Sequence, residues 1–178
     1  MDGDHSIEKT AETQKIILQE VYKSLLENEV LLEGTLLKPS FTLPGVSYKY
    51  KNNINAKTIA EKTLEVFQST IPRKVPGILF LSGGLSESDA TLYLNEINKI
   101  YHKNSNISNI SNISNKSNKS WNLSFSYGRA LQNSCLKTWN GKKENIKKAK
   151  KELLSRARDN SLASLGKLKE TSDRPEIY

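Results

Sequence analysis

Val30-Leu31-Leu32-Glu33-Gly34-Thr35-Leu36-Leu37-Lys38-Pro39 is a short, mostly apolar run that ends in a charge and a proline. Proline has no N–H to give a central ladder, so a strand over residues 30–37 stops there and Lys38 stands at its exit. Upstream, residues 7–28 carry Ile17, Val21 and Leu25 on one stripe with Leu18, Tyr22 and Leu26 beside it, the period of a helix. Downstream, residues 40–53 read as loop. The same order then repeats. Asn55 can cap a helix to about residue 69 with Ile59, Thr63, Val66 and Phe67 facing inward, and Pro72 and Pro76 bracket the way to a strand over residues 77–81. That strand ends in Ser82-Gly83-Gly84. Ser86 with Asp89 three residues later is a capping-box pattern, opening a helix through Tyr93, Ile97 and Ile100. A third strand, residues 123–127, gives a turn at Gly128 and a helix over residues 129–139, stopped by Asn140-Gly141. A last helix, about residues 143–165, aligns Ile146, Ala149, Leu153, Ala157 and Leu162, and residues 166–178 form a tail.

One segment breaks the pattern. Residues 104–120 hold six Asn, six Ser, three Ile and two Lys and nothing else. They have no helical periodicity and no means of burying a core, which reads as a disordered surface insertion without a function of its own. The strand centres fall near residues 33, 79 and 125, and without the insertion the second unit is about 29 residues, close to the roughly 30 per unit of a (β/α)8 barrel. A complete barrel needs about 250 residues. At 178 residues the expectation is therefore an α/β chain that supplies about the last three β/α units of a TIM barrel, with a C-terminal helix and tail. Three units of a doubly wound parallel sheet have the same periodicity, which alone does not separate the two.

Composition narrows the function. A single cysteine, Cys135, excludes a disulfide framework and a Cys-based zinc site, and two histidines, His5 and His102, support no His-built metal site, so no metal is expected. No run approaches the 18 apolar residues of a membrane span, and residues 1–10 lack the basic and apolar regions of a signal peptide. The chain reads as cytoplasmic, with no membrane partner. The net charge of +8 is local: residues 129–158 hold ten basic residues and only Glu144 and Glu152 against them. Such a cluster is a solvated helix face, or it serves phosphorylated metabolites, acidic protein segments or nucleic acid. Nucleic acid is disfavoured because, Trp139 apart, no aromatic residue is interleaved with the basic ones to stack bases.

In parallel β/α folds the working groups sit where strands exit. The three exits here are Lys38, Ser82-Gly83-Gly84 and Ser126-Tyr127-Gly128-Arg129. The latter two have the character of an anion site: glycines admit backbone N–H groups close to a phosphate, a helix N-terminus adds its dipole, and Arg129 adds a bidentate fork. The same glycines would also serve as plain turn residues. Lys38, after an apolar strand, is expected to be partly desolvated, and a lysine so placed keeps a free amine that attacks a carbonyl to form a Schiff base. A phosphate-binding or surface lysine is the simpler alternative.

The segment Leu32 to Pro39 resembles the Schiff-base segment of class I fructose-1,6-bisphosphate aldolases. Asp2-Gly3-Asp4-His5, Phe80-Leu81-Ser82-Gly83-Gly84, Phe125-Ser126-Tyr127-Gly128-Arg129-Ala130-Leu131-Gln132, Trp139-Asn140-Gly141-Lys142-Lys143-Glu144-Asn145 and Ala157-Arg158-Asp159-Asn160-Ser161-Leu162-Ala163 agree with that family in the same order. The resemblance covers nearly the whole chain apart from the insertion and the tail. It implies a TIM-barrel lyase of glycolysis and gluconeogenesis, usually a homotetramer. Such an enzyme reversibly cleaves fructose 1,6-bisphosphate to dihydroxyacetone phosphate and glyceraldehyde 3-phosphate without metal or other cofactor. Lys38 matches the family's Schiff-base lysine. Ser82, Gly83, Gly84, Ser126, Gly128 and Arg129 match its phosphate contacts, and Tyr178 matches a C-terminal tyrosine on a mobile tail that assists proton transfer.

The departures are also expectations. The chain begins just after the family's acid/base glutamate, and the family's catalytic aspartate and second lysine lie farther upstream, so five of eight units are expected to be absent. Leu85 stands where a glutamine is expected, and the stretch before Tyr178 is short. The leading expectation is the C-terminal portion of such an enzyme, inactive or nearly so by itself. The alternative is a binding or scaffold protein that recruits acidic segments or filaments through residues 129–158, as aldolases do.

Overall fold

The computed structural model describes residues 2–110 and 121–169. Its elements run α1 (Ile7–Glu27), β1 (Leu36–Leu37), α2 (Ala56–Thr70), β2 (Gly77–Phe80), α3 (Glu87–Ile110), β3 (Asn122–Phe125), α4 (Arg129–Trp139) and α5 (Ile146–Ala163), with short 3-10 turns at Leu32–Gly34, Lys51–Asn53 and Lys143–Asn145. The strands form one parallel sheet in the order β1-β2-β3. The helices pack in a continuous layer, α1 on α2, α2 on α3, and α3 and α4 on α5.

Local chemistry accounts for the boundaries. Ser6 and Asn55 cap α1 and α2 by accepting from the Lys9 and Thr58 N–H groups. The first helix ends in a Schellman motif, in which the Glu29 N–H donates to the Leu26 carbonyl at 3.0 Å and the Val30 N–H to the Leu25 carbonyl at 2.9 Å. Glu29 occupies the left-handed position at φ 55°, where glycine is the usual residue. At the end of α5 the same motif has Gly166 at φ 65°, and a Cβ there would lie 2.9 Å from the Lys99 backbone nitrogen. Only glycine fits that approach.

Two expectations change. The strand read over residues 30–37 contracts to Leu36–Leu37, because the preceding residues wind into a 3-10 turn in which the Gly34 and Thr35 N–H groups donate to Leu31 and Leu32. The helix expected to stop before the Asn/Ser segment instead runs on, so residues 104–110 are helical rather than disordered. Extending a formed helix needs no new nucleus, and Asn and Ser each cost only a fraction of a kcal/mol relative to Ala, about 0.7 at most. The rest of that segment, residues 111–120, lies outside the described residues.

The core lies between sheet and helix layer. Ile78 and Phe80 of β2 are fully buried there. Phe80 stacks on Phe41, centroids 4.2 Å apart, and on Phe67 of α2 at 5.8 Å, and Tyr93 of α3 meets Phe41 edge-on. Phe41 thus draws the loop after Lys38 into the core. The segment at residues 2–5 is laced to the same loop, where Gly45 and Ser47 donate N–H bonds to the His5 and Gly3 carbonyls and the Thr10 hydroxyl donates to Leu43.

Candidate functional site

Because the three strands are parallel, all three exits lie on one edge of the sheet. Leu37 pairs with Ile78, and Leu79 with Ser124. The Leu81 N–H donates to the Pro39 carbonyl at 3.0 Å, continuing that register by two residues. Pro39, lacking an N–H, cannot return the bond, and this ends β1. Lys38 therefore lies beside Leu79 and, one strand farther, Ser124.

Alternation then sorts the faces. Ile78, Phe80 and Leu123 point into the helix-covered core, so Leu36, Lys38, Leu79 and Ser124 point to the opposite face. On this second face Leu36 is 59% exposed, crossing over Gly77, where a Cβ would meet its Cδ2 at 3.0 Å. Lys38 is exposed too. The partial desolvation expected from its position is not supplied by the described residues, since three strands leave this face open.

The second exit turns sharply. The Leu85 N–H donates to the Ser82 carbonyl at 2.8 Å across Gly83 and Gly84, both left-handed at φ 50° and φ 92°. Ser82 is buried, and nothing lies within 4 Å of the place where a Gly84 Cβ would be. Helix α3 opens just beyond, where the Ser86 hydroxyl accepts from the Asp89 N–H at 3.0 Å and donates to the Asp89 carboxylate at 2.7 Å. At the third exit the Ser126 N–H extends the ladder to Phe80 at 2.9 Å. Gly128 then starts α4 with no side chain capping its first N–H groups, and Arg129 projects exposed from the first turn. An uncapped helix start, two left-handed glycines and an arginine, all at neighbouring exits, can take up an anion.

Behind these loops lies a polar cluster that the sequence reading missed. Tyr127 is buried, donates to the Ala90 carbonyl at 2.9 Å, and has its hydroxyl pushed well above the usual tyrosine range by burial. Next to it Arg156 of α5, counted in the sequence only as one charge of ten, is 12% exposed and reaches α3 and α4. Asp159 and Asn160, one turn farther along α5, are buried with it. The other lysines and arginines of residues 129–158 are exposed, a solvated face. An apolar groove of about 230 Å3, lined by Cys135, Trp139, Ile146, Ala149, Lys150 and Leu153, lies between α4 and α5 toward the far end of α4 from the anion loops. Among the described residues no cluster of three or more His, Cys, Asp or Glu could hold a metal, and no helix is long and apolar enough to cross a membrane. Tyr178 lies outside the described residues.

A three-stranded parallel sheet covered by helices, with a lysine and two glycine turns at one common edge, is a parallel β/α class of fold with its exits gathered in one place. Comparison with known proteins specifies it. The model of the class-I fructose-bisphosphate aldolase family matches residues 1–177. The chain is 46% identical over 167 residues to the cytoplasmic isozyme of fructose-bisphosphate aldolase from Spinacia oleracea, covering 94% of this chain and 42% of that protein. It is 46% identical to the chloroplastic fructose-bisphosphate aldolase 3 of Arabidopsis thaliana, again over 94% of this chain and 38% of the relative. A solved fructose-bisphosphate aldolase from Plasmodium falciparum, in complex with TRAP and a small-molecule inhibitor, superposes with a TM-score of 0.81 at 43% identity, covering 94% of this chain and 43% of that one. The chain belongs to the class I fructose-bisphosphate aldolase family, with a TIM-barrel type of α/β fold, and spans less than half the length of these relatives.

Proposed function

We propose that this chain carries the Schiff-base lysine and the phosphate loops of a class I fructose-1,6-bisphosphate aldolase, as the last three β/α units of its barrel. The observation that carries the reading is the common edge: Lys38 stands two strands from Ser126 and one from Ser82, with Gly83, Gly84, Gly128 and Arg129 beyond. In this mechanism the Lys38 amine adds to the ketone carbon of the open-chain sugar and water leaves. The resulting protonated imine accepts the electron pair of the carbon–carbon bond as the aldehyde product departs. The glycine N–H groups and Arg129 hold a substrate phosphate and so fix the reacting carbon against Lys38. Tyr178 assists proton transfer. Open as its sheet face is, the chain turns over fully only with the upstream units that its longer relatives possess, and the complete cytoplasmic enzyme forms a homotetramer.

Mixing this chain with the upstream half of a class I aldolase tests the proposal. Cleavage of fructose 1,6-bisphosphate should appear in the mixture and vanish with Lys38→Met. Equal turnover by the Lys38→Met mixture would refute the assignment.

A second reading rests on the exposed basic residues around the α4–α5 groove, a surface suited to an acidic protein segment with an apolar side chain. Competition by fructose 1,6-bisphosphate would show whether such a partner shares the substrate site.

A further inference from the structure

Two helix starts carry the anion loops, and their relative position is set by a third helix. The Arg156 Nη2 group, from α5, donates to the carbonyl of Glu87 at 2.7 Å, to the Thr91 hydroxyl at 2.7 Å and to the Ala130 carbonyl at 3.2 Å. Glu87 is the first residue of α3 and Ala130 the second of α4, so one guanidinium grips both first turns. A second bridge runs directly between the two helices. The Ser134 N–H and hydroxyl of α4 donate to Glu87 Oε1 at 3.0 and 3.1 Å, while Glu87 Oε2 lies 3.9 Å from Arg156 Nε. The grip is itself held: Asn160 donates to the Arg156 carbonyl at 2.9 Å and lies 3.0 Å from the Thr91 hydroxyl, and Arg156 Nη1 is 4.0 Å from Asp159.

We infer that Arg156, acting with Glu87, is a positioning residue for the phosphate site, fixing the separation of the Gly83-Gly84 and Gly128-Arg129 loops. This rests on the anion-site reading above. A phosphate bound between two loops needs both sets of N–H groups within hydrogen-bond distance at once, and each loop begins a helix that would otherwise shift on its neighbour. Guanidinium is suited to this role because Nη2 reaches the acceptors on α3 and α4 while Nε and Nη1 face the Glu87 and Asp159 carboxylates at 3.9 and 4.0 Å, whereas a lysine ammonium offers a single nitrogen on a flexible stem. The pair is mostly buried, its side chains 12% and 21% exposed.

The test is a titration of the full 178-residue chain with inorganic phosphate, followed by the backbone amide resonances of Gly83, Gly84 and Gly128. Wild type should show one saturable shift common to all three. Arg156→Lys, which keeps the charge, and Glu87→Gln should each weaken phosphate binding about tenfold or more, the order of losing one hydrogen bond to a charged group, with the Gly84 and Gly128 shifts no longer saturating together. Asn95→Ala serves as control, because Asn95 ties the chain at Leu168 and touches neither loop. It should lower thermal stability while leaving phosphate affinity unchanged. Wild-type affinity in folded Arg156→Lys and Glu87→Gln would overturn the inference alone. Absence of any phosphate shift in wild type would overturn the anion-site reading and the inference together.

Discussion

Phe41, three residues beyond Lys38, lies face to face on Phe80, with ring centroids 4.2 Å apart and planes 1° from parallel. The stack joins the loop that leaves β1 to the last residue of β2, so the backbone carrying Lys38 is fixed to its neighbour although β1 itself has only two residues. Both rings are essentially without solvent contact. Phe41→Ala should destabilise the fold by about 3–5 kcal/mol, the usual cost of emptying a buried aromatic site, as read from chemical denaturation. Phe41→Leu, which keeps most of the volume, should cost less than half of that.

Two left-handed helix ends make opposite predictions. Glu29 holds φ 55° with a side chain, so Glu29→Gly should be neutral or stabilising by up to about 1 kcal/mol at the helix end. Gly166 at φ 65° sits against the α3 backbone, and Gly166→Ala should cost about 1–3 kcal/mol from conformation alone, with the close approach to Lys99 added. Paired thermal melts decide between them.

Acid stability should depend on Glu65. Hydrogen bonds from Lys15 at 2.7 Å and Lys62 at 2.8 Å hold its carboxyl down to about 2. Its folded value lies below the unfolded one of about 4.3, so its contribution is present above that value and is lost as pH falls toward 2. Half-exposed, the cluster is screened, and each pair is worth about 0.2–1 kcal/mol. Glu65→Gln should lower stability at neutral pH and flatten the pH dependence between about 4.5 and 2, measured by urea unfolding across that range.

The sequence showed most of the order and less of the depth. The apolar run at residues 77–81 and the alternating Leu123-Ser124-Phe125-Ser126-Tyr127 became parallel strands within two residues of the expected bounds, the first because proline and glycine bound a stretch too short for a helix, the second because its period of two is that of a strand. The first run misled because a left-handed turn at Glu29 and a 3-10 turn at Leu32–Gly34 consume residues whose side chains are strand-like. Phe41 and Thr42, read as loop, are wholly buried: periodicity reports regular elements and is blind to an irregular segment drawn into a core. That Lys38, Gly83, Gly84, Gly128 and Arg129 share one edge of the sheet was legible from strand exits alone, since topology brings exits together before any side-chain contact is known. Arg156 was not, because a buried arginine and a surface arginine look the same in a charge count. Its partners on α3 and α4 lie 26 to 69 residues away along the chain.

The most direct test of the Schiff-base assignment is borohydride trapping of the purified chain with dihydroxyacetone phosphate, alone and after addition of an upstream aldolase half, followed by peptide mapping. The account predicts a reduced adduct on Lys38 in the completed barrel, blocked by excess inorganic phosphate. An adduct confined to other lysines, or none on Lys38 when the complemented enzyme cleaves substrate, would contradict it.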